Sequence, residues 1–276
     1  FFQRPSFDVL YQNPDFEISG LYTLMGNPDL NVERTVQYEI GLQQGLGDDL
    51  ALDLSLYSRD IRDLVSSDRL IETNTGSYLI YQNLDFGTVT GIVFGLDKRY
   101  GNNFSAGINY TWQIAEANAS SREAASSSIS GGNEVNKYLV PLDWDRRHTI
   151  NLTGGYNSND IWGLNALATY GSGTPYTPDP QSDDMIVGLL TNSGRKPVYM
   201  NIDISGWWNT PIRLNSNHSM SLNFQIKNLF DRLNENSVFA ATGRAGYNLD
   251  WEHENAELFV SPTNYSRPRE VIIGMK

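Results

Sequence analysis

Cysteine is absent from the 276 residues, which removes disulfides and thiolate metal sites from the reading. Histidine is scarce: only His148, His218 and His253 occur. His148 stands beside Arg146 and Arg147 at the start of an alternating segment, His218 in a polar connection, and His253 among Asp250, Glu252, Glu254 and Glu257. None belongs to a Ser-His-Asp order or a convincing carboxylate pair, and no glycine-rich phosphate loop follows a strand, so the chain is not read as an enzyme. Clusters of Lys and Arg are missing, and 20 basic against 32 acidic residues leave a net charge of −12. Nucleic acid is therefore excluded as a partner. No run of about eighteen apolar residues occurs, which excludes a transmembrane helix. A mean hydropathy of −0.41 does not exclude a transmembrane β-barrel, because only alternate residues of each strand meet lipid. The opening Phe1-Phe2-Gln3-Arg4-Pro5 lacks a basic leader and a cleavage site. Both ends are expected to be cut from something longer. Long helical stripes are lacking too. The Ala/Ser/Glu-rich residues 116–130 have no apolar face and read as a loop.

What is present is period-two alternation, with many aromatics (15 Tyr, 6 Trp). Val36, Tyr38, Ile40 and Leu42 share one face, against Thr35, Gln37, Glu39 and Gln43 on the other. Leu50, Leu52, Leu54 and Leu56 oppose Asp53, Ser55 and Arg59. Phe104, Ala106, Ile108, Tyr110 and Trp112 oppose Ser105, Asn109, Thr111 and Gln113. The same holds for Trp162 to Tyr170 against Asn165 and Thr169, and for Met220, Leu222, Phe224 and Ile226 against Ser221, Asn223, Gln225 and Lys227. Residues 88–100, 148–156, 198–208 and 270–276 are further strands, giving about nine, with an additional strand end expected at residues 7–11.

A soluble sandwich also alternates. Three features point instead to a membrane barrel. Many of the strands reach the roughly 9–11 residues needed to cross a bilayer at a tilt, above the usual 5–6 of soluble strands. Aromatic residues close the apolar faces at both ends, as in Phe104 with Trp112 and Trp162 with Tyr170, where interfacial girdles belong. The connections alternate short (residues 45–49, 101–103, 157–160 and about 211–218) and long (62–87, 116–143, 174–196 and 231–269). Outer-membrane barrels have short periplasmic turns and long extracellular loops, and this rhythm ends the ninth strand at the periplasmic side. The fold expected is all-β: the C-terminal part of an antiparallel transmembrane barrel.

Six phrases in order carry a resemblance. GNPDLNVERTVQYEIGLQ (26–43) resembles the lead-in to a barrel strand of TonB-dependent receptors, with Val32 where that family has Pro. NLDFGTVTGIVFGLDKRY (83–100) resembles a further strand, with Val93 in place of the usual Glu on a lumen-facing position. PLDWDRRHTINLTGGY (141–156), YGSGTPYTP (170–178), KNLFDRLNENSVFAATGRAGY (227–247) and RPREVIIGMK (267–276) resemble the family's D-x-R-H strand, its PYTP loop opening, its NLFD and TGRA segment and its closing strand. The fifth is similar to receptors carrying an N-terminal carboxypeptidase-regulatory-like domain. The family ends in an aromatic residue slightly beyond Lys276.

The resemblance implies a single partial barrel domain over 1–276, about nine to ten strands of a plugged barrel of about 22. The plug and TonB box are expected upstream and are absent from this chain. It implies energy-coupled uptake of an unidentified ligand. The partners implied are outer-membrane lipid and lipopolysaccharide, a TonB-type complex reached through the upstream region, and surface lipoprotein or other outer-membrane subunits. The alternative is a structural or adhesive barrel in a surface assembly without transport. Candidate ligand contacts at the extracellular mouth are Tyr176, Asp183, Asp184, Tyr247 and Trp251. Tyr199, Phe239 and Tyr265 are weaker candidates for the same mouth. No cofactor is expected; adventitious Ca2+ fits the acidic loops holding Asp179, Asp183 and Asp184, and Asp250 to Glu257. Asn228 and Asp231 are expected to satisfy loop amides where a strand ends.

Overall fold

The computed structural model describes residues 1–15, 17, 23–74, 76–101, 103–132, 135, 138–159, 161–179, 191–215, 218–248 and 261–275. Among the described residues nine main strands follow one another: β1 (Glu33–Leu46), β2 (Leu50–Thr73), β3 (Gly76–Gly101), β4 (Phe104–Ala117), β5 (His148–Ser158), β6 (Trp162–Gly171), β7 (Tyr199–Asn215), β8 (His218–Lys227) and β9 (Glu270–Met275). Each pairs antiparallel with the next, so the sheet is a meander in chain order. Among the described residues β9 does not pair with β1, and the wall is open.

The register explains the alternation. One row across seven strands reads Leu42, Leu54, Phe94, Tyr110, Ile150, Tyr170 and Met200. The row one residue away reads Gln43, Asp53, Gly95, Asn109, Asn151, Thr169 and Asn201. Successive side chains point to opposite faces, so the first row is apolar and faces out while the second is polar and lines the concave side. A slip of one residue would exchange the rows. The outer face keeps Tyr38, Ile40 and Leu42 more than half exposed, which in water would be a large apolar patch. Aromatic residues close this face at the short-turn end, where Trp162 pairs in register with Trp208 and lies 5.0 Å from the Tyr156 ring. At the other end the Tyr110 hydroxyl meets His148 Nδ1 at 2.9 Å.

Four expectations need correction. Residues 62–87 are not a loop: β2 and β3 continue through them as one hairpin rising above β4, which stops where Ala117 pairs with Gly87. Three register irregularities between Ile61 and Arg69, with Asp63 at φ 61°, break the alternation there and hid the strands. Residues 211–215 belong to β7, so that short turn is tighter than expected. Residues 7–11 form a short helix, α1 (Phe7–Tyr11), rather than a strand end. Within 116–130, β4 runs to Ala117 and a second helix, α2 (Ala124–Ser130), follows.

Buried side chains gather at the long-loop end. Val9 of α1 packs with Val65 and Tyr81 of the raised hairpin, and Val89, Ala115, Ala117 and Leu142 form a second cluster on the concave side. Residues 23–25 add a short parallel strand to β3, burying Met25 and Leu79. The N-terminal segment is thus tied to the hairpin, with Tyr81 Oη donating to Gln12 Oε1 and Asn27 Nδ2 donating to the Tyr81 carbonyl.

Candidate functional site

Two surfaces are available for chemistry: the polar concave wall and the packed long-loop end. On the wall, Arg59 Nε donates to Gln37 Oε1, Gln37 Nε2 to Glu39, and Gln43 Nε2 to Asp53. Tyr57 Oη reaches across β3 to Gln113 Oε1 at 2.9 Å. That crossing needs Gly91 between them, because a side chain there would occupy the Tyr57 ring position. The interior-strand glycines 41, 91, 95 and 107 all lie on this face, and the room they leave is taken by neighbouring side chains such as Ser55, Tyr57, Asn109 and Asp97. A trough of about 480 Å³ runs along the wall between Asp97, Thr153, Asn165, Asp203 and Gln225. Its lining offers amides, hydroxyls and carboxylates, and suits water and hydrogen-bonding groups rather than apolar ligands.

At the long-loop end the sequence phrases become knots of hydrogen bonds. Asp145 is fully buried: Oδ1 accepts from Ala115 N, and Oδ2 accepts from Arg147 Nε at 2.8 Å and Arg195 Nη2 at 2.6 Å. The second Arg195 amino group donates to the Asp145 carbonyl, and Arg147 also pairs with Glu116. Asn192, buried at φ 53°, donates to the Pro141 carbonyl and to Asp143. The small hairpin made by Pro175–Tyr176 and Gly194–Arg195 is thereby fastened to the ends of β4 and β5. Asn228 and Asp231, both at φ 53°, bind loop backbone as expected: Asn228 holds Arg232 N and the Arg232 and Arg267 carbonyls, and Asp231 accepts from Arg269 N. The buried Asn234 pairs with both backbone groups of Met200. Above the lipid-facing band, burial pushes the Asp85 carboxyl above the usual carboxylate range, and pushes the Tyr81 phenol up to about 12.

Tyr176 is half-buried and its ring lies against Gly194 and Gly243, joining the PYTP hairpin to the TGRA turn. Tyr247 is exposed beside that turn, its carbonyl accepting from Thr242 Oγ1. Arg244 and Ala245 N both hold Glu235, which fixes the turn. Tyr199 underlies Arg146, and Tyr265 pairs with Glu235 through backbone. Asp183, Asp184 and Trp251 lie outside the described residues, as do Asp250, Glu252, His253, Glu254 and Glu257. Among the described residues no group of three acidic or histidine side chains is placed to hold a metal ion. Asp145, Asn192 and Asn234 were not singled out from sequence. Asp145 and Asn234 lie inside two of the quoted phrases and Asn192 in none, and each acts on partners distant in sequence that no local pattern names.

Gly173 gives a direct check on this packing. An added side-chain carbon would overlap the Lys196 carbonyl, which leaves no room to relax. Gly173→Ala is expected to lower the stability of the full-length protein by about 1–3 kcal/mol, whereas Gly154→Ala, with nothing near it, stays close to wild type. A urea refolding midpoint that moves no more for the first than for the second would contradict the close approach.

The family model described as TonB dependent receptor-like, beta-barrel matches residues 2–229. No curated protein sequence matches. Among solved structures, the outer membrane transporter YddB from Escherichia coli is similar at 12% identity and TM-score 0.59, over 79% of this chain and 32% of that one. A mutant of the ferric enterobactin receptor PfeA from Pseudomonas aeruginosa is similar at 18% identity and TM-score 0.59, over 99% and 36%. The copper transporter OprC is similar at 14% identity and TM-score 0.55, over 99% and 34%. At such identities the likeness is one of fold, and this chain spans about a third of the length of each.

Proposed function

Because the chain belongs to the TonB-dependent receptor β-barrel family, whose members are proteins of the Gram-negative outer membrane, we propose that it forms part of the wall of a receptor that captures a ligand at its extracellular end and imports it through a plugged barrel. Import is driven by a TonB-type complex acting on the region upstream. The observation that supports the reading is the polar row on the concave side, Gln43 to Asn201 with Gly95 as its one member lacking a polar side chain, behind an unbroken apolar row facing lipid. Such a row encloses a polar interior, which a barrel that admits a ligand or holds a plug requires. The ligand is held by the 172–198 and 228–269 segments. Tyr247 is the foremost contact because it is exposed beside a turn fixed by Glu235, with Asp183, Asp184 and Trp251 on the same two segments. Tyr176 supports the mouth from beneath.

The test compares cells with and without the gene in a defined mixture of ferric chelates, copper complexes, glycans and peptides, with depletion of each solute followed by mass spectrometry. At least one solute is expected to be depleted only by cells carrying the gene, and depletion should cease when a protonophore collapses the inner-membrane gradient. Identical depletion by both strains, or gene-dependent depletion that survives the protonophore, would overturn the reading.

A further inference from the structure

The lipid-facing side of the β1–β2 pair ends in an unusual juxtaposition. Arg34 and Arg62 are directly opposite one another in register, on the outward face that carries Val36, Tyr38, Ile40 and Leu42 below them. Like charges directly across a strand pair destabilise it. Their side chains are 58% and 55% exposed, and each guanidinium meets one carboxylate through Nε: Arg34 with Asp63 at 2.6 Å, Arg62 with Asp60 at 3.0 Å. Among the described residues neither guanidinium makes a hydrogen bond through its terminal amino groups, which leaves those donors available on half-exposed side chains. Aromatic rings flank the pair. Phe86 lies 5.5 Å from the Arg62 guanidinium, and Phe2, paired in register with Arg34, is largely exposed. Leu84 adds an exposed apolar side chain on the same strand.

The height of the pair on the wall says what they meet. On β1 the outward row below Arg34 runs from Leu46 up to Val36 and is apolar but for Gln44, while its partners on β2 turn polar at Ser58 and Asp60, just beneath Arg62. At about 3.3 Å per residue and a tilt of about 40°, those ten steps rise roughly 25 Å, the height of the apolar band of an outer-membrane barrel. The next outward position, Arg34 opposite Arg62, therefore stands at the headgroup level of the outer leaflet. We propose that Arg34 and Arg62 form a binding site for the phosphate of an outer-leaflet lipid headgroup, with Phe2 and Phe86 against the upper acyl chains. Arginine forks match phosphate oxygens, and aromatic rings settle at this boundary. Asp60 and Asp63 keep the two cations apart from each other when no lipid is bound, and weaken the site when one is. The proposal rests on outer-membrane placement and not on ligand import.

The test uses the full-length protein in an uncharged detergent, with native mass spectrometry following binding of lipid A carrying two phosphates and of the same lipid after dephosphorylation. Wild type is expected to prefer the phosphorylated lipid about tenfold, and the double variant Arg34→Gln/Arg62→Gln to lose that preference. Asp60→Asn removes an anion, leaves both cations in place, and is expected to tighten binding of the phosphorylated lipid about threefold. Lys98→Gln, near the short-turn end, should change nothing. Equal binding of the two lipids by wild type, no tightening in Asp60→Asn, or displacement of the lipid by an equal concentration of inorganic phosphate would each overturn the proposal. The Asp60→Asn arm decides the matter even if the double variant fails to insert.

Discussion

Replacing Asp145 by alanine is expected to cost the full-length protein about 3–5 kcal/mol, the cost of breaking a buried ion pair from one side. The side chain has no contact with solvent and satisfies three donors on three segments: Ala115 N on β4, Arg147 just before β5 and Arg195 on the 194–195 strand. Its removal leaves the Ala115 amide without an acceptor and two guanidiniums facing each other across the gap. Both arginines keep about a third of their surface in water, and Arg147 retains Glu116, so the lower half of the range is expected. Asp145→Asn keeps one acceptor for Ala115 N but turns an amide donor toward the guanidiniums, and should be nearly as costly. Urea-driven unfolding from phospholipid vesicles, followed by tryptophan fluorescence, reads the global effect. Limited proteolysis reads the local one, since the 172–198 segment should be cut faster once Arg195 is released. A loss below about 1 kcal/mol in both variants would show that the carboxylate is not the fastening point.

How much of this was legible beforehand differs between wall and mouth. The wall was readable because one physical rule, lipid on one side and polar surroundings on the other, acts on every second residue of every strand. The outward sets named from sequence, such as Leu50 to Leu56 and Phe104 to Trp112, are the outward sets in the register. The rule fails where both faces leave the membrane. Above Ile61 the hairpin packs against the N-terminal segment on one side, so Val65, Ser66 and Ser67 are all buried and alternation vanishes. The five residues of α1 place Phe7, Val9 and Tyr11 on alternate positions, and a segment so short fits either period. The mouth was less readable. An acidic residue among arginines, as in Asp143-Trp144-Asp145-Arg146-Arg147, looks solvated in sequence, and only the loop that folds over it makes Asp145 buried. Asn228 and Asp231 were legible because short polar side chains at a strand exit have a local role that needs no distant partner. Tyr176 had a distant one, Gly243, that no local rule could supply.

The largest sequence-legible effect belongs to Leu54. It points outward between Leu42 and Phe94 and lies near the midpoint of the outward row that runs from Leu50 to Asp60 on β2. That places it close to the bilayer midplane, where an arginine on the lipid side of a barrel costs about 2–4 kcal/mol, falling toward zero near the interfaces. Leu54→Arg should reach that range in refolding into phospholipid vesicles, and Leu50→Arg, nearer the short-turn rim, should cost clearly less. Asn109→Asp provides the opposite face. Asn109 stands in register between Gly95 and Asn151 on the polar side, where a carboxylate keeps hydrogen-bonding surroundings. Its cost should stay below about 1 kcal/mol, because no charge is moved into hydrocarbon. The two substitutions thus add charge to rows one residue apart in register, and the ratio of their costs measures the difference between the faces. If Leu54→Arg and Asn109→Asp prove equally costly, the outward and inward assignments fail together, and with them the placement of this wall in a membrane. If Leu54→Arg is costly but Leu50→Arg equally so, the faces stand and the height assigned to the band is wrong, which would also move Arg34 and Arg62 away from the headgroup level.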